Sequence, residues 1–278
     1  MLSLNFRKLD DNEIKLICES IKDHGYAKVT SYFDVDQALD ISTWLTTKYQ
    51  ELKESNHSYN EKMRIGTNDK LILSVHKYNS CFLKFIDCQI VREVLIEFLN
   101  DPYYTQLPPN APNFNLGYFN ARSSGNQLPL HIDNSIPYKG SKPLGCQCAY
   151  YFSKSDTQNG CTIVVPKSHM SGTYADRTTT NTQPIVSNPG DCVIWDSRLW
   201  HGTCNNKTDK DRWALIATYQ QWFVKQSLAL TNSLTSSQYK SLNNVQKQLF
   251  GFCSLTPKDE YSSVHTKKGY DDLPEDIN

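Results

Sequence analysis

The chain has 278 residues, of which 38% are hydrophobic and 12% aromatic, so it has enough apolar side chains for a sizeable core. Lysine plus arginine equals aspartate plus glutamate, at 29 each. This balance argues against the strong charge field of a protein that binds nucleic acid or anionic lipid. We therefore expect a small-molecule partner, and no pattern in the chain indicates an obligate protein partner.

The amino terminus and the cysteines indicate the compartment. Acidic residues stand where a signal peptide needs an apolar core, and no run reaches the ~18 apolar residues of a membrane span. We expect a soluble, cytoplasmic protein without a membrane segment. The nine cysteines are an odd number without a repeating interval, which favours reduced thiols over a disulfide framework.

Residues 1–112 are predicted to be a mainly helical support. Apolar residues at helical spacing predict three helices: Asp11 to Gly25 behind a cap at Asn12, Ala38 to Leu52 behind Asp34 or Asp36, and Phe82 to Leu99. A short alternating strand, Gly25 to Val29, follows the first helix, and residues 55–68 are predicted to form a polar loop.

Residues 113–224 are predicted to form the β core. Turn-forming residues separate seven short β-prone runs, at Asn113–Ala121, Gln127–Ile132, Gly145–Phe152, Cys161–Val165, Gln183–Val186, Cys192–Trp195 and Trp213–Val224. Strands without intervening helices indicate an antiparallel sandwich or barrel. Residues 225–278 are predicted to be helical from Asn232 to Phe250 and then a surface strap or frayed tail from Thr256. We predict one α+β domain, residues 1–278, around a jelly roll.

Two residues of the β core have the spacing of metal ligands. His131 and Asp133 are two positions apart in an extended segment, so both side chains point to the same face. A neutral imidazole and a carboxylate are suitable ligands for Fe(II). The pair alone is a weak signal, because so short a motif often arises by chance. Asp133 beside Asn134 also suits a turn-capping role.

The segment Gly190 to Thr203 strengthens this prediction. A turn, an apolar strand and a second turn place His201 where it can complete a set of two histidines and one carboxylate. Such a set leaves three positions open on an octahedral iron, for O2 and a bidentate co-substrate. Eleven residues later, Arg212 is placed to clamp the carboxylate of a 2-oxoacid, unless it is an ordinary surface arginine. Thr203 shares the face of His201 and has a hydroxyl to donate.

Three stretches together resemble the phytanoyl-CoA dioxygenase (PhyH) family of Fe(II)- and 2-oxoglutarate-dependent oxygenases. Leu128 to Asp133 resembles the first ligand motif, Asn159 to His169 the central motif, and Gly190 to Arg212 the distal motif. Lys167 replaces the glycine that usually precedes Ser-His in the central motif. The resemblance implies a double-stranded β-helix, with iron bound by His131, Asp133 and His201.

The resemblance also implies a reaction. Arg212 and Thr203 would anchor 2-oxoglutarate, and O2 would be consumed to hydroxylate an unactivated C–H bond of a small metabolite, an amino acid, phosphonate or acyl compound, with release of succinate and CO2. Desaturation, epimerisation and cyclisation are alternative outcomes of the same cofactor chemistry. A non-catalytic jelly-roll binding or scaffold protein is an alternative of a different class.

Three further residues near these motifs have alternative interpretations. Asn120 and Arg122 precede the first ligand segment and either face the open site, where they would bind an acidic substrate, or lie in a solvated loop. His169 follows Pro-Lys-Ser in a turn. We expect His169 to brace the fold rather than to bind iron.

Overall fold

A computed structural model describes residues 2–66, 68–104, 107–108, 110–255 and 260–261. Seven α-helices are present in this part of the chain: α1 Asp11–His24, α2 Val35–Ser55, α3 Tyr59–Lys62, α4 Leu83–Ile86, α5 Leu95–Leu99, α6 Ser236–Ser241 and α7 Asn244–Phe250. Most of the predicted tail, from Thr256 onward, lies outside the described residues. None of the helices described is long and apolar enough to cross a membrane.

The first helix begins and ends on identifiable capping residues. The predicted cap at Asn12 is wrong, because the Asp10 side chain accepts a hydrogen bond from the Glu13 N–H while the Asp10 backbone N–H donates to the Glu13 carboxylate. This reciprocal pair satisfies two backbone donors that a helix start leaves free. The predicted end is confirmed, since Gly25 has φ 88°, a left-handed conformation that glycine adopts without strain.

Two predicted helical regions are interrupted. Between Ser80 and Leu99, a 3₁₀ turn, α4, a π-helical segment at Ile90–Val94 and α5 follow one another. Asp87 breaks the series with φ −130°. The region from Leu230 to Phe250 likewise contains a 3₁₀ turn, α6 and α7, each helix with its own capping box. The predicted loop at 55–68 contains the short helix α3.

Ten strands form two antiparallel sheets: β1 Tyr26–Val29, β2 Lys70–Leu73, β3 Phe114–Ser123, β4 Leu128–His131, β5 Gly145–Tyr151, β6 Thr162–Val164, β7 Gln183–Ile185, β8 Cys192–Asp196, β9 His201–Thr203 and β10 Ala214–Gln221. The six-stranded sheet has the order β1-β8-β5-β10-β3-β2, and the four-stranded sheet the order β4-β9-β6-β7. The predicted strand at Gly25–Val29 and all seven predicted strands of the β core are present within a few residues. Strands β2 and β9 were not predicted.

The large sheet is buried on both faces, and strand alternation separates their roles. On one face, apolar side chains such as Cys148, Ile194 and Leu215 pack against the helices in the main core. The opposite face contributes Tyr151 and Trp195 to a second cluster, which also contains residues of the small sheet. The two sheets therefore pack face to face over a shared interior.

This architecture confirms the predicted fold class, α+β with a mainly antiparallel β core and flanking helices. The prediction of one domain stays a prediction. Cys146 and Cys148 are buried free thiols on β5, within the helix-facing core. They pack as small apolar side chains, which agrees with the prediction that the cysteines are reduced thiols.

Candidate active site

Strands β4 and β9 bring the two candidate histidine ligands together. His131 pairs with His201 and Leu128 with Thr203 in this antiparallel ladder. The imidazole centroids of the two histidines lie 4.2 Å apart. Between His201 and Thr203, a Cβ on Gly202 would come within 2.4 Å of the Leu128 carbonyl oxygen. Glycine is therefore required at this position for the two strands to approach so closely.

Asp133 reaches the same point from the turn that follows β4. Its backbone N–H donates to the carbonyl of Ser197 at 2.9 Å, which ties this turn to the end of β8. Its carboxylate oxygens lie 3.6 Å from Nε2 of His131 and 3.3 Å from Nε2 of His201. One ligand atom from each residue lies within 4.8 Å of the other two. The structure therefore brings together all three predicted metal ligands.

Hydrogen bonds fix which imidazole nitrogen faces the cluster. Nδ1 of His131 lies 3.0 Å from the Pro129 carbonyl, and Nδ1 of His201 lies 3.0 Å from the Leu199 carbonyl. A carbonyl oxygen only accepts, so each Nδ1 carries the proton in these bonds. The lone pair on each Nε2 then points toward Asp133, as in histidines that bind a metal through Nε2.

The local electrostatics favour an ionised carboxylate between two imidazoles. Burial raises the pKa of Asp133, but its electrostatic interaction with His201 and its contacts with His131 and Trp195 hold it below its usual value. Burial lowers the pKa of His201. Burial also opposes the charged form of His131, yet its contacts with Asp133 raise its pKa. At neutral pH the cluster therefore presents one anionic ligand and a neutral imidazole at His201.

A cavity of about 190 Å³ opens beside the three residues, between the two sheets. Alternate residues of β3, β5 and β10 line it, because successive side chains of a strand point to opposite faces. The lining includes Tyr118, Asn120 and Arg122 of β3 and Gln147 of β5. It also includes Arg212 and Thr203.

Arg212 lines the cavity as a buried cation that has no partner among the residues described. Only 4% of the residue is exposed, so it is not the surface arginine that was the alternative reading. Its backbone N–H donates to the Ser123 hydroxyl, but its guanidinium makes no hydrogen bond or ion pair to any residue that the structure describes. A buried charge of this kind is costly unless a ligand neutralises it. The guanidinium is therefore suited to an anionic group in the cavity.

Thr203 lies on the cavity wall, two residues after His201 on β9. Its hydroxyl oxygen accepts the Leu128 N–H at 3.0 Å. The hydroxyl proton remains available for a second partner. Thr162 of β6 pairs with Thr203 of β9, and the Thr162 hydroxyl forms a hydrogen bond of 3.0 Å with the Tyr151 hydroxyl. The wall near Arg212 is therefore a group of hydroxyls rather than an apolar surface.

Asn120 and Arg122 lie on a strand facing the cavity, not in a solvated loop. They pair with Ile216 and Ala214 of β10. Asn120 is 2% exposed, and its side-chain amide makes no hydrogen bond within the described part of the chain. The nearest carboxylate to Arg122 is that of Asp69, at 4.0 Å.

His169 is not part of the cluster. Its Nε2 lies 3.1 Å from the Lys22 carbonyl oxygen, and its ring borders Gly25 at the end of α1. This bracing contact agrees with the role expected from the sequence. Lys167 has φ 69°, so the turn before Ser168 is left-handed although the usual glycine is absent.

Sequence reasoning missed several residues of this site. Trp195 donates its indole N–H to Asp133 at 3.1 Å, and Gln147 faces the cavity beside it in the sheet. Tyr118 also lines the cavity. The period-two alternation of the strands places these side chains on one face of the sheet. The sequence does not show which face is turned to the cavity, so the alternation alone could not identify them.

The chain is similar in sequence to a family model and to several known proteins. The family model described as phytanoyl-CoA dioxygenase (PhyH) matches residues 21–214. The chain is 31% identical over 115 residues to Rv1501, an uncharacterised protein of Mycobacterium tuberculosis, covering 40% of this chain and 42% of the relative. It is 27% identical over 154 residues to the multifunctional dioxygenase prhA of Penicillium brasilianum, covering 49% of this chain and 50% of prhA. The chain therefore spans half or less of these relatives.

A solved structure shares the fold over a larger part of the chain. The epimerase SnoN, determined with Fe3+, alpha ketoglutarate and nogalamycin RO, superposes with a TM-score of 0.57 at 14% identity. The superposition covers 82% of this chain and 92% of SnoN. At this level of identity the likeness concerns the fold.

Proposed function

Because the chain belongs to the phytanoyl-CoA dioxygenase family, we propose that it is a non-haem Fe(II)- and 2-oxoglutarate-dependent dioxygenase acting on a small molecule. The observation that carries this proposal is the pairing of a complete ligand triad with an unpartnered guanidinium, that of Arg212, on one cavity. A scaffold protein has no need to bury an uncompensated charge beside such a triad. The cytoplasmic location expected from the sequence belongs to this proposal.

His131, Asp133 and His201 are the proposed iron ligands. Two neutral nitrogens and one carboxylate match the preference of Fe(II) in oxygenases of this type, and they leave further positions open. The bound iron supplies the activation of O2. The backbone carbonyls of Pro129 and Leu199 orient the two imidazoles and hold the proton on Nδ1 of each.

Arg212 and Thr203 are the proposed anchors of 2-oxoglutarate. A guanidinium binds a carboxylate through two parallel hydrogen bonds, and these are strong where water is excluded. The Thr203 hydroxyl adds a third donor from the neighbouring strand. Both side chains line the same cavity as the triad, so a dicarboxylate bound in this cavity would lie beside the three proposed ligands.

Asn120 and Arg122 are the proposed contacts to substrate. Burial lowers the pKa of Arg212; Tyr151 opposes this shift, and the charge of Arg122 adds to it. Arg122 also opposes protonation of His131, so its positive charge acts on both Arg212 and His131. With Asn120 beside it, this wall favours a metabolite with an acidic group, such as an amino acid, a phosphonate or an acyl compound. We propose hydroxylation as the outcome.

Product analysis tests the function. The purified protein, supplied with Fe(II), 2-oxoglutarate and O2, is expected to form succinate and CO2, and Asp133→Ala is expected to form neither. Once a substrate is found, a product with one added oxygen supports hydroxylation. Loss of two hydrogens indicates desaturation or cyclisation, and unchanged mass indicates epimerisation. A folded, iron-loaded protein that never forms succinate would favour the scaffold alternative.

A further inference from the structure

Cys161 and Cys204 lie directly opposite each other where the ladder between β6 and β9 ends. Two residue pairs in the same antiparallel register flank them: Thr162 with Thr203, and Asn159 with Asn206. The Cys204 N–H donates to the Cys161 carbonyl at 2.9 Å. Directly opposite residues of antiparallel strands point their side chains to the same face, so the two thiols are neighbours.

The spacing of such a pair suits a disulfide. Opposite Cα atoms in an antiparallel ladder are about 4.5 to 5.5 Å apart, and disulfides join Cα atoms that are about 4.4 to 6.8 Å apart. The Cβ atoms need to approach each other by up to about 1 Å. Cys161 and Cys204 are both free thiols in the structure. A bond between them therefore requires a small closure of the two strands.

The two thiols differ in exposure and therefore in reactivity. Cys204 is half-buried, whereas Cys161 is fully buried. Burial and the interaction with the Cys204 thiol raise the pKa of Cys161 to about 12, against the opposing charge of Arg212. Because the thiolate is the form that attacks an oxidant, Cys204 is the thiol that reacts first. The effect of Arg212 also means that Cys161 lies within electrostatic reach of this guanidinium.

We propose that Cys161 and Cys204 form a modification site for hydrogen peroxide, at which oxidation links β6 to β9. The Cys204 thiolate attacks one peroxide oxygen, so an S–O bond forms, the O–O bond breaks, and the released hydroxide takes up the proton that Cys204 lost. The Cys161 sulfur then attacks the sulfenic acid, which forms the S–S bond, breaks the S–O bond and releases a second water with the Cys161 proton. Proximity compensates for the high pKa of Cys161, because this second step is intramolecular.

The cross-link acts on the proposed co-substrate site, and this effect rests on the proposed function. Thr203 directly precedes Cys204, and its partner Thr162 directly follows Cys161. Closure of the strands at the cysteines therefore displaces the Thr203 hydroxyl on the cavity wall. A misplacement of about 1 Å can cost about 100-fold where a group must be held in position, so we expect the disulfide to weaken 2-oxoglutarate binding at least about fivefold.

Peptide mapping of the wild type tests the site without any variant. The apo protein is treated with hydrogen peroxide, so that no iron reacts with the oxidant, and is then alkylated and digested with trypsin without reduction. Tryptic peptides 155–167 and 199–207 contain one cysteine each, Cys161 and Cys204. We expect the two peptides to be joined, lighter than their sum by two hydrogens, and to be separated by dithiothreitol. Two unlinked peptides, whether alkylated or oxidised to sulfonic acid, would overturn the proposal.

Cys204→Ser and Cys18→Ser are matched variants, since Cys18 is another half-buried cysteine, on α1. Each oxidised protein is desalted, loaded with Fe(II) under argon and titrated with 2-oxoglutarate. The wild type and Cys18→Ser should show the loss of affinity and regain it if reduced before loading, whereas Cys204→Ser should be unaffected.

The two readouts separate the possible failures. A disulfide with unchanged 2-oxoglutarate affinity would refute the effect on Thr203 and leave the modification site supported. A protein that binds no 2-oxoglutarate before oxidation would contradict the proposed function, and the peptide map would still decide whether Cys161 and Cys204 react as a pair.

Discussion

Arg212 and Arg198 are buried to nearly the same degree, 4% and 5% exposed, but only Arg198 has an acidic partner. The Arg198 guanidinium lies 2.7 Å from Asp196 and also donates to the Gly140 carbonyl. The Arg212 guanidinium has neither kind of contact among the described residues. Arg198 therefore stabilises the fold, whereas we propose that Arg212 is held in place for a ligand.

Arg212→Met is expected to move stability and ligand binding in opposite directions. Removing an uncompensated buried charge should raise the free energy of unfolding of the apo protein by about 1 kcal/mol. Loss of the carboxylate partner should weaken 2-oxoglutarate binding by about 2 to 5 kcal/mol. Urea unfolding and 2-oxoglutarate titration measure the two effects.

Arg198→Met is the matched control for that experiment. It leaves Asp196 buried without its cation, so the free energy of unfolding should fall by about 3 to 5 kcal/mol. If Arg212→Met destabilises the apo protein as much as Arg198→Met does, Arg212 is a structural residue, and its proposed role in binding 2-oxoglutarate is wrong.

Lys167→Gly is expected to stabilise the protein. Lys167 has φ 69°, and a side chain in this left-handed region costs roughly 1 to 2 kcal/mol. Glycine removes that strain but loses about 0.5 to 1 kcal/mol through its greater freedom in the unfolded chain. A net gain of about 0.5 kcal/mol or more should appear as a higher melting temperature. Lys167→Ala, which keeps the Cβ, is the control and should show no gain.

His76 should make stability fall on acidification. Burial between Phe119 and Phe250, together with the charge of the neighbouring Lys77, lowers the pKa of His76 to about 3. The unfolded state takes up a proton near pH 6.5, whereas the folded state does so only near its lowered pKa. Stability from the neutral ring is therefore complete above about pH 6.5 and is lost progressively below it.

His76→Gln isolates this contribution. Between pH 7 and pH 5, the wild type should lose about 2 kcal/mol more than the variant in the free energy of unfolding. Glutamine does not titrate and retains an N–H for the Ser233 hydroxyl, which His76 contacts at 2.9 Å. Equal pH slopes for the two proteins in urea unfolding would show that His76 is not the titrating group.

Arg122→Gln should affect substrate more than co-substrate. If Arg122 contacts the acidic group of the substrate, KM for substrate should rise by at least about tenfold while the 2-oxoglutarate requirement stays within a factor of about two. Steady-state kinetics with each compound varied in turn separates the two effects. A rise confined to the 2-oxoglutarate requirement would move Arg122 to the co-substrate site.

Local patterns made much of this fold predictable. Period-two alternation located β3, β5, β8 and β10, and Gly25 marked the end of α1. The spacing of His131 and Asp133 and the position of His201 at a strand end were enough to find the triad. These features depend on neighbours within a few residues, so a single sequence contains them.

Other features depend on residues that are distant in the chain. β9 has only three residues, one of them Gly202, and it is a strand because β4 and β6 pair with it on both sides. β2 is an edge strand paired with β3. Trp195 contacts Asp133 across 62 positions, and no local pattern indicates that contact.

Anaerobic titration with Fe(II) and then 2-oxoglutarate tests the central claim most directly. Chelation of Fe(II) by a 2-oxoacid in such a site produces a weak visible charge-transfer band. We expect the band in the wild type and in His57→Ala, whose histidine is exposed and outside the cluster, and no band in His201→Ala. A folded wild type without the band, or a band that persists in His201→Ala, would contradict the assignment of His131, Asp133 and His201 as the iron site.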